Sequence, residues 1–467
     1  MIGRDHELRI LDKEYQSRKN GLTVIYGRRR IGKSYLIRSF CKGKPSLIIE
    51  GLEDKSSQVQ MDSFVHEIKS QVKDFPIPNV KYTNWRQVLD LITLLLQTRK
   101  EKLVLCLDEF QWMALQRTPL VSLIKLYFDQ KWADYKLMLV LCGSISSFMV
   151  KKVLNSKALY GRVTTELRLA PFTPKETYQF FKGKFTEEEV ILLLMILGGI
   201  PKYLSECRTN ESIEKNLDRL CFQPSGFLFN EFEKVFYSQF KEPMTYKKIV
   251  QFLTSGSKSL VDIASHLKMK SSGGFKDYLT NLELAGFISA ESFPGRKNSK
   301  IIKYRISDPF ISFYFKYMQS NRTALIKKPI SRFFQNHVQP NYNAWLGLAF
   351  ENFCNNNIKA LTWSMDYSEL PLTYGPMIIK GKPSVQLDLV LLVQGKIIVA
   401  CEMKYRKEKI STDVIAEIKI KQNNLRTKYP KKIRIEWALI APNGVTTSLK
   451  ESQFFDHIVT TDDFFKN

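Results

Sequence analysis

A glycine-rich loop near the start of the chain carries side chains suited to phosphate chemistry. It follows an apolar run at residues 22–26 and consists of Gly27, Arg28, Arg29, Arg30, Ile31, Gly32, Lys33 and Ser34. In such a loop the glycines let backbone N–H groups surround phosphate oxygens, the lysine reaches the β and γ phosphates, and the serine hydroxyl ligates magnesium. The loop therefore predicts binding of ATP with magnesium. A glycine-rich turn without a ligand is the alternative, and the strand-like run before the loop counts against it.

Two carboxylates follow a later apolar run, residues 102–107. Asp108 is placed to hold magnesium, and Glu109 is placed to polarise the attacking water. A further apolar run ends just before Ser144, which could sense the γ phosphate or cap the next helix; both readings stay open. Because parallel strands end at one edge of a sheet, these groups are expected to meet there, in an α/β fold with a parallel sheet.

A second group of titratable residues lies near the other end of the chain. Residues 385–405 read as two apolar strands joined by a tight turn. If they pair symmetrically about Gly395, Asp388 faces Glu402 on one side of the sheet, and Lys404 joins them there. This set suits metal-assisted hydrolysis of a phosphodiester, with the carboxylates holding magnesium or manganese and the lysine orienting water. A solvent-facing trio of charges is the alternative.

Length, charge and cysteine content indicate the number of domains, the kind of partner and the cellular compartment. The 467 residues suggest about three domains, and 71 Lys and Arg against 46 Asp and Glu give a net charge of +25. That excess favours DNA as a partner, with a merely solvated basic surface as the alternative. No apolar run is long enough to span a membrane, the first residues lack a secretory pattern, and the seven cysteines form no C-x-x-C pair. We therefore expect a cytoplasmic protein that does not bind membranes.

The N-terminal motifs resemble those of prokaryotic, largely archaeal-type ATPases of the AAA+ and signal-transducing lineage. Besides the loop and the acidic pair, the resemblance rests on residues 3–8, 159–162 and 198–204 and covers residues 1–235.

This resemblance implies that Arg4 and Pro201 border the adenine. It also implies that Arg162 contacts the γ phosphate in a closed state. The nucleotide would be bound either by the same subunit or by a neighbouring subunit of a homo-oligomer. The alternatives are an Arg162–Glu166 pair and an ordinary helix-to-helix turn at Pro201.

The C-terminal group resembles the core of PD-(D/E)XK nucleases, a restriction-endonuclease-like α/β fold with which such ATPases commonly end. The resemblance implies that Glu351 is the helix carboxylate aimed at the metal. It also suggests phosphate contacts by Lys421 and Gln422 on a helix at 411–428. Relatives often carry Glu where this chain has Gln386, which removes an accessory acid.

The middle of the chain looks like a winged helix-turn-helix. Three helical segments precede a basic wing at residues 291–305, which carries Arg296, Lys297, Lys300, Lys303 and Arg305. The wing could contact DNA, with weak base readout from Ser271, Ser272, Lys276 and Asn281, or the fold could be a rigid spacer.

The predicted organisation is an ATPase core (1–172), a helical lid (173–235), a winged helix (236–308), a linker (309–335) and a nuclease-like domain (336–467). The whole predicts an ATPase that couples nucleotide state to DNA binding and cleavage. The alternative is a signalling or assembly switch whose nuclease-like domain only binds partners.

Overall fold

The structure is a computed structural model of the chain, and it describes residues 3–114, 118–144, 146–240, 242–292, 294, 302–379, 384–429 and 433–466. The chain divides into two compact units, Met1–Pro171 and Phe172–Asn467. The finer boundaries that the sequence suggests inside the second unit stay predictions.

The first unit alternates strands and helices. Its strands are β1 (Gly21–Tyr26), β2 (Ser46–Glu50), β3 (Leu103–Asp108), β4 (Leu137–Gly143) and β5 (Thr165–Arg168). Its helices are α1 (Asp5–Gln16), α2 (Lys33–Cys41), α3 (Ser57–Gln71), α4 (Trp85–Gln97), α5 (Phe110–Ala114), α6 (Leu120–Leu126) and α7 (Ser146–Phe148). Two π-helical turns follow α6 and α7, at Tyr127–Lys131 and Met149–Leu154.

These five strands form one parallel sheet in the order β2-β3-β4-β1-β5. Every residue of β1, β3 and β4 is buried, as expected for strands covered by helices on both faces. The predicted α/β fold with a parallel sheet is confirmed. Because β4 lies between β1 and β3, the end of β4 separates the glycine-rich loop from the acidic pair.

The second unit is mainly helical before its large sheet. Its helices are α8 (Pro174–Phe180), α9 (Glu187–Leu197), α10 (Pro201–Ser205), α11 (Ile213–Leu217), α12 (Glu231–Gln239), α13 (Pro243–Leu253), α14 (Leu260–His266), α15 (Gly273–Leu284), α16 (Pro309–Phe313), α17 (Arg322–Lys327), α18 (Asn343–Asn356), α19 (Ile358–Ser364), α20 (Val414–Lys428) and α21 (Thr447–Glu451). Shorter turns are π-helical at Asp218–Phe222, Tyr314–Met318 and Phe334–Val338 and 3-10 at Gln339–Asn341 and Thr461–Phe464.

Two sheets belong to this unit. The smaller is antiparallel, in the order β6-β8-β7, with strands β6 (Lys258–Ser259), β7 (Ile288–Glu291) and β8 (Lys303–Ile306). The larger is mixed, in the order β13-β12-β11-β10-β9, with strands β9 (Leu372–Ile379), β10 (Val385–Val393), β11 (Ile397–Met403), β12 (Arg434–Ile440) and β13 (His457–Val459). Strands β9, β10 and β11 pair antiparallel, whereas β11, β12 and β13 pair parallel.

Helix α9 links the predicted lid to later parts of the second unit. It begins with a capping box between Thr186 and Glu189, and all but one residue from Val190 to Leu197 is buried. Its neighbours include α8, α16, α18 and the last 3-10 turn. Phe353 on α18 packs on Phe464 of that turn, with ring centroids 4.9 Å apart. The predicted lid therefore shares a core with C-terminal elements.

Two further features concern the chain as a whole. All seven cysteines lie in the described ranges and are free thiols. Within the same ranges, no helix combines the length and apolarity that crossing a bilayer requires.

Candidate functional site

The glycine-rich loop joins β1 to α2, and the side chain of its lysine donates hydrogen bonds to carbonyls of the same loop. Gly32 adopts a left-handed conformation, with φ of 91°, directly before the first turn of α2. The Lys33 side chain is only 5% exposed, and its Nζ donates to the carbonyls of Gly27 at 3.0 Å and Arg28 at 3.1 Å. Phosphate oxygens would have to replace these carbonyls as partners of the ammonium.

Gly27 lies where a side chain would not fit. A Cβ there would lie 2.8 Å from the carbonyl oxygen of Leu169. The other loop residues differ in their surroundings: Arg28 is buried, Arg29 pairs with Glu53 at 3.1 Å, and Arg30 has a φ of 70°. Close backbone approach, rather than flexibility alone, therefore explains the first glycine of the loop.

Arg4 supports the loop from the start of α1. Its guanidinium donates to the carbonyls of Ile31 at 3.2 Å and Ala170 at 2.8 Å and pairs with Glu7 at 3.1 Å. The side chain is almost fully buried. Its position beside the adenine stays a prediction, but these contacts give it a role in holding the loop that spacing alone did not indicate.

The acidic pair lies at the carboxyl edge of the parallel sheet. Asp108 is the last residue of β3 and is buried, and Glu109 follows with a φ of 47°. The Glu109 Oε2 accepts hydrogen bonds from the Ser144 hydroxyl at 2.6 Å and from the amide of Gln111. Gln111 also donates to Ser144 at 3.2 Å. Ser144 thus contacts the carboxylate predicted to polarise water, which neither predicted role of this serine included.

Sequence reasoning missed Gln111, although it is fully buried. The sequence pattern that could have indicated a role for Gln111 is a polar residue two positions after an acidic pair, on the first turn of a helix. That signal is too common to stand out.

The nucleotide site fits magnesium by its donor chemistry. Ser34 and Asp108 offer hydroxyl and carboxylate oxygens, and magnesium in ATPase sites usually takes one or two protein ligands together with phosphate oxygens. Among the described residues, no group of three or more His, Cys, Asp and Glu side chains is arranged to hold a metal ion. A site completed by the nucleotide is compatible with that finding.

Arg162 has a carboxylate partner in the first unit. Its Nε lies 2.8 Å from Asp129, and this hydrogen bond lowers the pKa of Asp129. Glu166, the partner considered from the sequence, instead accepts from the hydroxyl of Tyr26 at 2.8 Å, so that alternative is wrong. Pro201, in the second unit, begins α10. The predicted nucleotide contacts of Arg162 and Pro201 stay predictions.

The C-terminal carboxylates lie on the hairpin of β10 and β11. The ladder ends at the pair Leu389–Cys401 and is symmetric about Gly395, the register the sequence predicts, and Asp388 and Glu402 are the next residues of the two strands. The backbone N–H of Met403 donates to Asp388 at 3.5 Å.

Glu351, on α18, is electrostatically coupled to this pair. Burial, followed by repulsion from Asp388 and Glu402, raises the pKa of Glu351 to about 7. Burial and the Glu402 charge likewise raise the pKa of Asp388 to about 6. Raised values of this kind arise where carboxylates are crowded in a poorly solvated place.

Two lysines meet at Glu402. Lys404 Nζ lies 2.9 Å from one carboxylate oxygen, and Lys421 Nζ lies 2.8 Å from the other. The predicted phosphate contact of Lys421 is untested, and in this structure its ammonium binds protein carboxylates.

Proteins usually bind magnesium through one or two carboxylates. Asp388 and Glu402 therefore have the side-chain chemistry that this ion prefers. Within the described ranges, Glu351, Asp388 and Glu402 are not arranged so that all three could hold one metal ion.

The predicted DNA-reading residues are partly engaged within the protein. Asn281 donates to the hydroxyl of Tyr246 at 2.8 Å, whereas Lys276, Ser271 and Ser272 are exposed. In the wing, Arg305 binds Glu291 and Asn352. Three further wing cations lie outside the described residues: Arg296, Lys297 and Lys300.

Comparison with known proteins finds ATPases among the sequences similar to this chain. Residues 1–207 match the family model of an ATPase domain predominantly from Archaea. The uncharacterized protein MJECL04 of Methanocaldococcus jannaschii is 30% identical over 354 residues, which are 75% of this chain and 75% of that protein. The uncharacterized ATP-binding protein MJ0423 of the same organism is 40% identical over 43 residues, 9% of this chain and 73% of that protein.

One solved structure extends the likeness to the fold. The Walker-type ATPase PABY2304 of Pyrococcus abyssi superposes with a TM-score of 0.51 at 19% identity, over 68% of this chain and 96% of that chain. At this identity the likeness is one of fold.

Proposed function

This chain belongs to the ATPase family found predominantly in Archaea, and we propose from this premise that it couples ATP binding and hydrolysis to DNA binding and metal-dependent DNA cleavage by its C-terminal part. The family supports the ATPase activity itself. DNA as partner and cleavage as reaction are the proposal.

One observation carries the cleavage reaction. Asp388 and Glu402 lie on neighbouring strands, each one residue beyond the ladder pair Leu389–Cys401, and the ammonium of Lys404 lies 2.9 Å from Glu402. A divalent ion bound there would lower the pKa of a water molecule and polarise a phosphoryl oxygen. Lys404 could orient that water, which would attack phosphorus while one P–O bond of the backbone breaks.

The test uses the full chain with plasmid, linear and branched DNA in the presence of ATP and magnesium or manganese. We expect cleavage that Lys404→Ala and Asp388→Asn each reduce by about 100-fold or more, since each removes a group from the reacting centre. Lys450→Ala, at an exposed lysine on α21, is the matched control. Intact DNA under every condition would remove the nuclease from the proposal.

The ATPase assignment has its own pair of variants. Lys33→Ala should abolish nucleotide binding or turnover, because it removes the ammonium that reaches the phosphates. Glu109→Gln should keep binding and block hydrolysis. Unchanged turnover in both would contradict the placement of the nucleotide site.

DNA binding rests on the net charge of +25. The helices α13, α14 and α15 and the sheet β6-β8-β7 occur in the order expected of a winged helix, which supports a DNA-binding role for residues 236–308. Affinity for labelled DNA should then fall steeply between low and moderate salt. A flat response would support the alternative, a switch whose C-terminal part binds protein partners.

Assembly is a further point of the proposal. If Arg162 acts on a neighbouring subunit, it must leave Asp129, and the chain should form homo-oligomers when a nonhydrolysable ATP analogue is bound. Mass measurement with and without the analogue distinguishes this from action within one subunit.

A further inference from the structure

Four side chains on β11, α20 and the segment between them form a closed ring of ion pairs. Lys404 and Lys421 each contact Glu402, at 2.9 and 2.8 Å. The same two ammonium groups also contact a second carboxylate, Glu417, at 3.3 and 3.2 Å. Each of the two carboxylates therefore bridges the same two lysines.

The two carboxylates of the ring differ in burial. The Glu402 side chain is 2% exposed, whereas that of Glu417 is 53% exposed. A buried carboxylate is costly to leave without its cations, while an exposed pair at longer distance contributes little and exchanges with solvent. Glu417 is therefore the replaceable member of the ring, and Glu402 holds the two lysines in place.

The sequence that adjoins the ring is rich in lysine. Lys407, Lys409 and Lys419 are exposed nearby in sequence, and Arg406 is paired with Asp413 at 3.0 Å. A phosphodiester presents two anionic oxygens on one centre, as a carboxylate does, and lysine ammonium groups bind it as point charges.

We propose that Lys404 and Lys421 form a binding site for a backbone phosphate of nucleic acid and that Glu417 occupies this site in the free protein as an internal competitor. This inference rests on the proposed function, because it takes the substrate to be a phosphodiester. It adds Glu417 as a residue that restrains binding, and it joins Lys421, already predicted to contact phosphate, to Lys404 in one site.

The test is binding of fluorescein-labelled DNA to the full chain, measured by anisotropy in EDTA so that no cleavage occurs. Glu417→Gln removes the competing charge but keeps the size of the side chain. We expect about fivefold tighter binding than the parent and a steeper dependence on salt concentration, because two ammonium groups become available to phosphate. Glu451→Gln removes an exposed carboxylate on α21 and serves as the control for net charge.

A third variant separates the site from the general charge effect. Adding Lys421→Ala to Glu417→Gln should abolish the gain, whereas adding Lys450→Ala should leave most of it. Equal gains from Glu417→Gln and Glu451→Gln, or a gain that survives loss of Lys421, would overturn the inference. Thermal unfolding of each variant confirms that it is folded.

Failure of the inference and failure of the proposed function give different results. Tighter binding by Glu417→Gln without cleavage by any variant in magnesium or manganese retains the phosphate site and rejects the nuclease. Cleavage by the parent together with unchanged binding by Glu417→Gln retains the nuclease and rejects the competitor.

Discussion

Replacing Glu351 by Gln should stabilise the protein at alkaline pH and slightly destabilise it at acid pH. Burial and the neighbouring carboxylates raise the pKa of Glu351 from 4.5 to about 7 in the folded protein. Between these values the folded state binds more protons than the unfolded chain, so the free energy of unfolding falls as the pH rises through this window. The variant lacks the ionising group and avoids that fall.

The magnitude follows from the two pKa values. The interval from 4.5 to about 7 corresponds to a ceiling of about 3.4 kcal/mol at 1.36 kcal/mol per pKa unit. A buried amide carries about half of this as its own desolvation cost at every pH, so the variant should gain about 1.5 kcal/mol above pH 7.5 and lose about 1 kcal/mol at pH 5.0. For a unit of this size we expect a rise in Tm of about 3 °C.

The assay is thermal unfolding of the full chain in EDTA, without nucleotide, at pH 5.0 and pH 8.0. Glu369→Gln, at an exposed position of the same unit, is the matched control. The difference in Tm between Glu351→Gln and its parent should be about −2 °C at pH 5.0 and about +3 °C at pH 8.0. Equal differences at both pH values would refute the reasoning, because a pH-independent gain cannot come from ionisation of Glu351.

Three further variants test the nucleotide site of the first unit. Gly27→Ala should weaken ATP binding by at least about tenfold in calorimetry, since its Cβ would lie 2.8 Å from the Leu169 carbonyl oxygen. Gly273→Ala, whose Cβ meets nothing within 4 Å, should retain affinity. Arg4→Ala should weaken ATP binding by about tenfold at unchanged kcat, because charged hydrogen bonds hold the loop; unchanged affinity would contradict that role. Ser144→Ala should raise basal kcat by about threefold at unchanged KM, because it removes the hydroxyl that donates a hydrogen bond to Glu109. A fall in kcat would instead show that the hydroxyl assists hydrolysis.

The features that could be predicted from the sequence are those fixed by local pattern. A continuous apolar run predicts a buried strand, and the ends of such runs place Asp108 and Ser144 at one edge of a parallel sheet. The hairpin register is also local, because a tight turn at Gly395 determines which residues face each other. Both expectations agree with the observed strands.

The contacts between side chains distant in sequence could not be predicted in this way. Asp129 meets Arg162 across 33 positions, and nothing in the spacing distinguishes it from Glu166 as a partner. The ring at Glu402 requires α20 to place Glu417 and Lys421 over the hairpin, which depends on the packing of the helix against the sheet. Such partners are selected by tertiary structure rather than by a repeat along the chain.

The position of α9 bears on how the second unit can be divided. Because this helix packs on α16, α18 and the final 3-10 turn, a cut at residue 335 would remove the predicted lid and expose apolar surface on α18. A fragment of residues 336–467 should therefore aggregate unless residues from 172 onward accompany it.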